Sequence, residues 1–195
     1  MKVPAPNQTN FKPAPEGIHP AIIYQVVDLG TQKTDFQGET GQKHQVRFTL
    51  ELLSDECKLE DGRPMSIGVT RTVSLHENSR LRKDLEAIRG KAYTPDELNN
   101  VDLIRLAGTS CNVFVAHIPK GDGVISRIDR FMKWNNSSEK PVGVNEVTTF
   151  DFEEPSMKSL DALPEWIQEI VRKSPEYAFW VNSDDAPYLE DEIPF

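Results

Sequence analysis

The sequence predicts a mainly β protein: a five-stranded barrel with a helical insertion between strands 3 and 4 and a C-terminal helical appendage. Three observations carry this. Five separate stretches concentrate β-branched and aromatic residues, one intervening segment has apolar residues at helical spacing, and prolines and acidic residues collect outside both. Of 195 residues, 37% are hydrophobic, which supplies one core of roughly 100–150 residues plus extensions.

The predicted strands are Ile18–Leu29, Gln45–Leu53, Ser66–Leu75, Cys111–Ile118 and Val124–Trp134. In the second, Val46, Phe48, Leu50 and Leu52 alternate with Gln45, Arg47, Thr49 and Glu51, a period of two with one wet face. Gly38 and Gly41, Asp61-Gly62, and Gly121-Asp122-Gly123 supply the turns. Between strands 3 and 4, Asn78 can cap a helix in which Leu81, Leu85 and Ile88 share a face and after which Gly90 stands as the C′ residue. Thr94 with Glu97 forms a capping box for a second helix, with Pro95 at N1. Strand, strand, strand, helix, strand, strand is the order of the OB-fold, a partly open barrel whose strand 2–3 face and L12 and L45 loops bind oligonucleotides or oligosaccharides. Other small barrels share the pattern, and architecture alone does not fix activity.

Five of the 14 prolines fall in residues 1–20 and six in 141–195, which leaves Pro64, Pro95 and Pro119 between. The organisation read from this is an extended N-terminal arm (1–17), a body (18–135), a C-terminal appendage (136–181) and an acidic tail (182–195). Within the appendage, Pro164 opens a short helix with Trp166, Ile167, Ile170 and Val171 on one stripe, and Pro175 ends it. Tyr177-Ala178-Phe179-Trp180-Val181 is too apolar for a linker and predicts docking on the body or a dimer contact. Net charge is −9, yet residues 1–145 are nearly balanced, so the excess acid lies C-terminal.

Composition and spacing also exclude function classes. No apolar run approaches the ~18–20 residues of a bilayer span, and the N-terminus has no signal-peptide core, so the expected location is cytoplasmic and no membrane partner is expected. Cys57 and Cys111 are isolated, which supports neither a disulfide framework nor a zinc site. His19, His44, His76 and His117 are scattered, and no His-Glu-x-x-His, Gly-x-Ser-x-Gly or Walker motif is present, so no catalysis, metal or cofactor is expected.

The chain closes with Tyr188-Leu189-Glu190-Asp191-Glu192-Ile193-Pro194-Phe195, which resembles the acidic terminal tip of bacterial and phage single-stranded-DNA-binding proteins. Phe195 offers a ring for an apolar pocket, Pro194 restricts the backbone, and Asp191 and Glu192 beside the terminal carboxylate suit a basic rim; Ile193 completes this partner-binding tip. Val26–Gln32, the segment from Ser79 to Lys91, and Leu106–Cys111 resemble phage-encoded members of the same group, built on an OB-fold. The resemblance implies a protein that coats exposed strands during phage DNA replication and recombination in the bacterial host cell, and recruits replication, recombination or repair proteins through its tip. A homo-oligomer is compatible with it. A protein-interaction adaptor, or a general DNA-binding protein that also takes duplex, is the alternative.

Sequence-tolerant strand binding needs cations for phosphates and aromatic faces for bases. The candidates are Lys33, Phe36 and Lys43 in L12, Arg47 on the wet face of strand 2, and Arg71 on strand 3. Lys120 stands in L45, and Arg127, Arg130, Phe131, Lys133 and Trp134 lie along strand 5. Phe48 and Phe114 are assigned to the core, and Arg80, Arg82 and Lys83 to a solvated helix face.

Overall fold

Val26 and Val27 are adjacent in the chain, both fully buried, and belong to two different cores. The strand that carries them, β1 (Gly17–Phe36), is covered on both faces, which is why Ala21–Leu29 reads as a nearly continuous apolar run without alternation. The computed structural model describes residues 12–36, 39–121, 123–134 and 141–183.

Five antiparallel strands follow the order β3-β2-β1-β4-β5, with β2 at Glu39–Leu52, β3 at Ser66–Thr72, β4 at Ser110–Lys120 and β5 at Gly123–Lys133. A short sixth strand, β6 (Thr148–Phe150), pairs parallel with β1 beside Gln25–Val27. The first core fills the concave side: Ile23, Val26, Phe48, Leu50, Val69, Val113, Ile128 and Phe131, closed by Leu81, Leu85 and Ile88 of α1 (Arg80–Arg89). The strands β3 and β5 approach each other, but among the described residues no ladder joins them, so hydrogen bonds do not close the sheet. Helix α1 spans the opening. Arg80 Nη2 donates to the Asp129 carbonyl on β5 at 2.7 Å, and Asp84 of α1 accepts from Arg71 Nε of β3 at 2.5 Å.

Local signals explain the helix ends. Ser79, one residue beyond the expected Asn78, caps α1 by accepting from Arg82 N, and Gly90 ends it with φ of 75°, a conformation that disfavours other residues. The Thr94–Glu97 capping box and Pro95 at N1 are present in α2 (Pro95–Leu98).

The second core lies on the convex side of β1. Three helices, α3 (Met157–Asp161), α4 (Glu165–Arg172) and α5 (Pro175–Val181), supply Leu160, Ile167, Val171 and Trp180, which pack on Val27, Leu29 and Phe150. Pro175 opens α5 rather than merely ending α4, because Ser174 caps the new helix and proline is tolerated at its first position. Within the apolar 177–181 patch, Trp180 docks α5 on the body with Tyr177 and Val181 partly buried beside it, while Phe179 stays exposed.

Two expectations change here. The predicted L12 loop is a ribbon: β1 and β2 continue in register through Thr31↔His44, Lys33↔Gln42 and Asp35↔Thr40. Among its described residues this polar ribbon has no buried face, so no alternation marks it. The wet face of β2 is also partly lost. Thr49 and Glu51 are buried, because residues 141–150 cross that side and Glu51 accepts from Val144 N and Asn145 N at 3.0 Å each.

Candidate nucleic-acid interface

On β4, Val113 and Val115 point into the core, so the pleat turns Phe114 outward between them. Ladder register then sets three residues abreast on neighbouring strands: Ile18 on β1, Phe114 on β4 and Arg130 on β5. Ile18 is 62% exposed, and the Arg130 guanidinium lies over the Phe114 ring at 5.4 Å. A register shift beside Phe114 lets Arg127 share this outer face, opposite Ala116. Arg127 is exposed and stands outside the ion pairs that Asp129 makes with Arg80 and Arg130. Lys120, exposed, ends β4 at the tip of the same hairpin.

The remaining predicted residues are placed differently. Lys33 and Lys43 are exposed on the β1–β2 ribbon, in adjacent ladder pairs; Phe36 ends β1, and its side chain lies outside the described residues. Arg47 is half-buried. Its guanidinium lies against Gly68, where a methyl group would overlap it, and under the Trp166 ring of α4 at 4.7 Å. Burial lowers its pKa. Arg71 is a strut between β3 and α1, held by Asp84, whose own carboxyl is pushed up by burial in spite of the pair. Such a buried pair is not open to phosphate.

Phe131 requires a correction: at 3% exposure, opposite Val113, it is a core residue and offers no face for stacking. Phe114 changes in the other sense, from assigned core residue to the outer face. Parity of the strand, read from Val113 and Val115, is the signal that finds it. Lys133 lays its aliphatic stem on Gly90, and Trp134 is half-buried past the end of β5. Asp191, Glu192, Ile193, Pro194 and Phe195 lie outside the described residues.

Charge is segregated around this framework. Residues 141–183 contain eight acidic and three basic side chains, and all of these belong to the segment and helices that cover the convex face. At their junction with the body is a cleft of about 1000 Å³ lined by Asp28, His44, Asp102, Asp151, Glu153 and Glu154 among others. His44 Nε2 is 2.6 Å from Asp28 Oδ1 and Nδ1 is 4.0 Å from Glu176 Oε1 on α5. The hydrogen bond to Asp28 raises the His44 pKa, with both carboxylates adding attraction and partial burial opposing. A cleft of this sign repels phosphate. A second groove of about 510 Å³, lined by Phe152, Pro155, Pro175, Phe179 and Trp180, is apolar. Among the described residues, no group of three or more His, Cys, Asp and Glu is arranged to hold a metal ion, and no helix is long and apolar enough to cross a membrane.

No protein-family model matches the chain, and no curated protein matches it in sequence.

Proposed function

We propose that this chain is a single-stranded-DNA-binding protein that coats exposed strands during phage DNA replication and recombination, with an OB-fold barrel as its DNA module and the acidic 191–195 tip as a recruiter of partner proteins. The observation that carries the reading is the row formed by Ile18, Phe114 and Arg130, with Arg127 on the same face. An arginine stacked on an aromatic ring, beside a second exposed arginine, pairs phosphate attraction with apolar surface for bases. The strand order, with a helix between β3 and β4 and β3 lying next to β5, supports the barrel. Binding holds the strand by charge and stacking, without a chemical step. The acidic cover over β1 and β2 leaves β4 and β5 as the part of the outer face on which exposed arginines are grouped.

The test is anisotropy titration of labelled oligo-dT and of a hairpin duplex with the full chain and with a chain ending at Ser183. Salt-sensitive preference for oligo-dT that survives truncation supports the reading. Equal affinity for duplex would make it a general DNA-binding protein. The apolar groove beside α5, where Phe179 is 79% exposed, favours a second reading as a protein-docking adaptor. Absence of DNA binding by either chain would leave that one.

A further inference from the structure

Trp166 is 49% exposed on the first turn of α4, while its neighbours Ile167 and Val171 are buried. One face of its indole is occupied. Arg47 on β2 lies 4.7 Å from the ring centroid, and the same guanidinium rests on Gly68 of β3, the neighbouring strand. Glycine at 68 permits this approach, since any side chain there would collide with the arginine. The guanidinium is held further by a 3.4 Å hydrogen bond from Nη1 to Thr70 Oγ1. The result is an indole with a cation against it and about half of its surface exposed, with a Tyr24 hydroxyl to Ser66 hydroxyl contact on the same side of the sheet. Arg47 is paired in the ladder with Thr70 on β3, and β3 lies next to β5, which carries Arg127 and Arg130.

We propose that Trp166, backed by Arg47, is a stacking platform for one nucleobase of a bound single strand, which makes the C-terminal appendage part of the nucleic-acid surface and not only a cover for the sheet. The inference rests on the strand-binding reading above and extends it to a residue outside the barrel. Glu165 and Glu169 flank Trp166 on α4, so phosphates are not drawn here, and the contact is carried by the base. Stacking on a ring tolerates every base because each has a π face, and a cation fixed behind the ring reduces the ordering lost when a base arrives.

The experiment uses the full chain, Trp166→Ala and Trp166→Phe. Each is titrated with labelled oligo-dT and with an abasic oligomer of the same length, and thermal unfolding of each variant is recorded. The expected result is about 5- to 100-fold weaker binding of oligo-dT by Trp166→Ala, the range for loss of one stacked base. Trp166→Phe recovers most of it, the abasic oligomer binds all three chains alike, and the salt slope is unchanged. Equal loss on both oligomers would overturn the proposal, since it marks a structural rivet between α4 and the sheet. Unchanged oligo-dT affinity in Trp166→Ala would overturn it while leaving the strand-binding reading intact. No binding by the unaltered chain would overturn both. If Trp166→Ala unfolds, Trp166→Phe and Trp166→Leu decide: leucine keeps the packing but not the ring, so weaker oligo-dT binding by leucine alone supports stacking, and equal binding by the two overturns it.

Discussion

Asn145 holds Glu51 by two hydrogen bonds, from its backbone N–H at 3.0 Å and from its Nδ2 at 2.6 Å, both to Oε2. Val144 N adds a contact to each carboxylate oxygen. Glu51 has no exposed surface, so its charge is held by these donors alone among the described residues. Bonds to a charged acceptor contribute about 1.5–3 kcal/mol each, and donors left behind on an exposed strap regain water. Glu51→Ala is therefore expected to cost about 2–3 kcal/mol in urea unfolding, with faster proteolysis near residue 144. An unchanged midpoint would refute this role.

His44 joins the ribbon to α5 through Asp28 and Glu176, and its raised pKa sets a sign. A histidine whose folded pKa lies above its ordinary value contributes stability that is fully present below about pH 6.5 and is lost as pH rises through the folded pKa. The urea midpoint of the full chain should fall between pH 6 and pH 8 more steeply than that of His44→Gln. Parallel pH profiles would show that the cluster does not couple α5 to the ribbon.

Much of this fold could be read from residue order, for definite reasons. Period-two alternation in Val46–Leu52 and helical spacing in Leu81–Ile88 follow from one buried face each. Where that condition fails, the reading fails with it. Among the described residues, the ribbon at 31–43 has no buried face. The outer face of β2 is polar because it meets the buried network Thr49–Gln25–Thr148 and Glu51, not because it meets water. Residue type alone points to Arg47, Arg71 and Phe131, whereas the structure sorts them by direction: under Trp166, onto Asp84, and into the core. Spacing places Trp166 in an apolar stripe whose other members are at least half-buried, so the sequence pattern does not mark it as a surface residue.

Both cysteines are buried and free, with thiol pKa values pushed up by burial to about 11 for Cys57 and about 12 for Cys111. The thiolate is the reactive species, so neither should be alkylated at pH 7–8 in the folded chain. Labelling by iodoacetamide should follow the unfolding transition in urea and report it at two sites, β4 and the 3-10 turn before β3. Rapid modification of either residue in the absence of denaturant would show that the sheet opens locally.

Under the proposed strand-binding function, the salt dependence of binding separates Arg127 from Phe131, two residues of β5. Each phosphate contact on a single strand contributes about 0.7 to the slope of log K against log salt. Arg127→Ala should lower that slope by about 0.7 and leave the thermal midpoint unchanged, because its exposed side chain makes no ion pair among the described residues. Arg130→Ala removes both a cation and the cover on Phe114, so it should lower the slope and weaken binding more at high salt than Arg127→Ala does. Phe131→Ala should instead cost about 3–5 kcal/mol of stability and leave the slope of the folded fraction intact. The three patterns are distinct in one set of titrations, and a slope that none of the arginine variants changes would move the phosphate contacts away from β5, toward Lys33 and Lys43 on the ribbon.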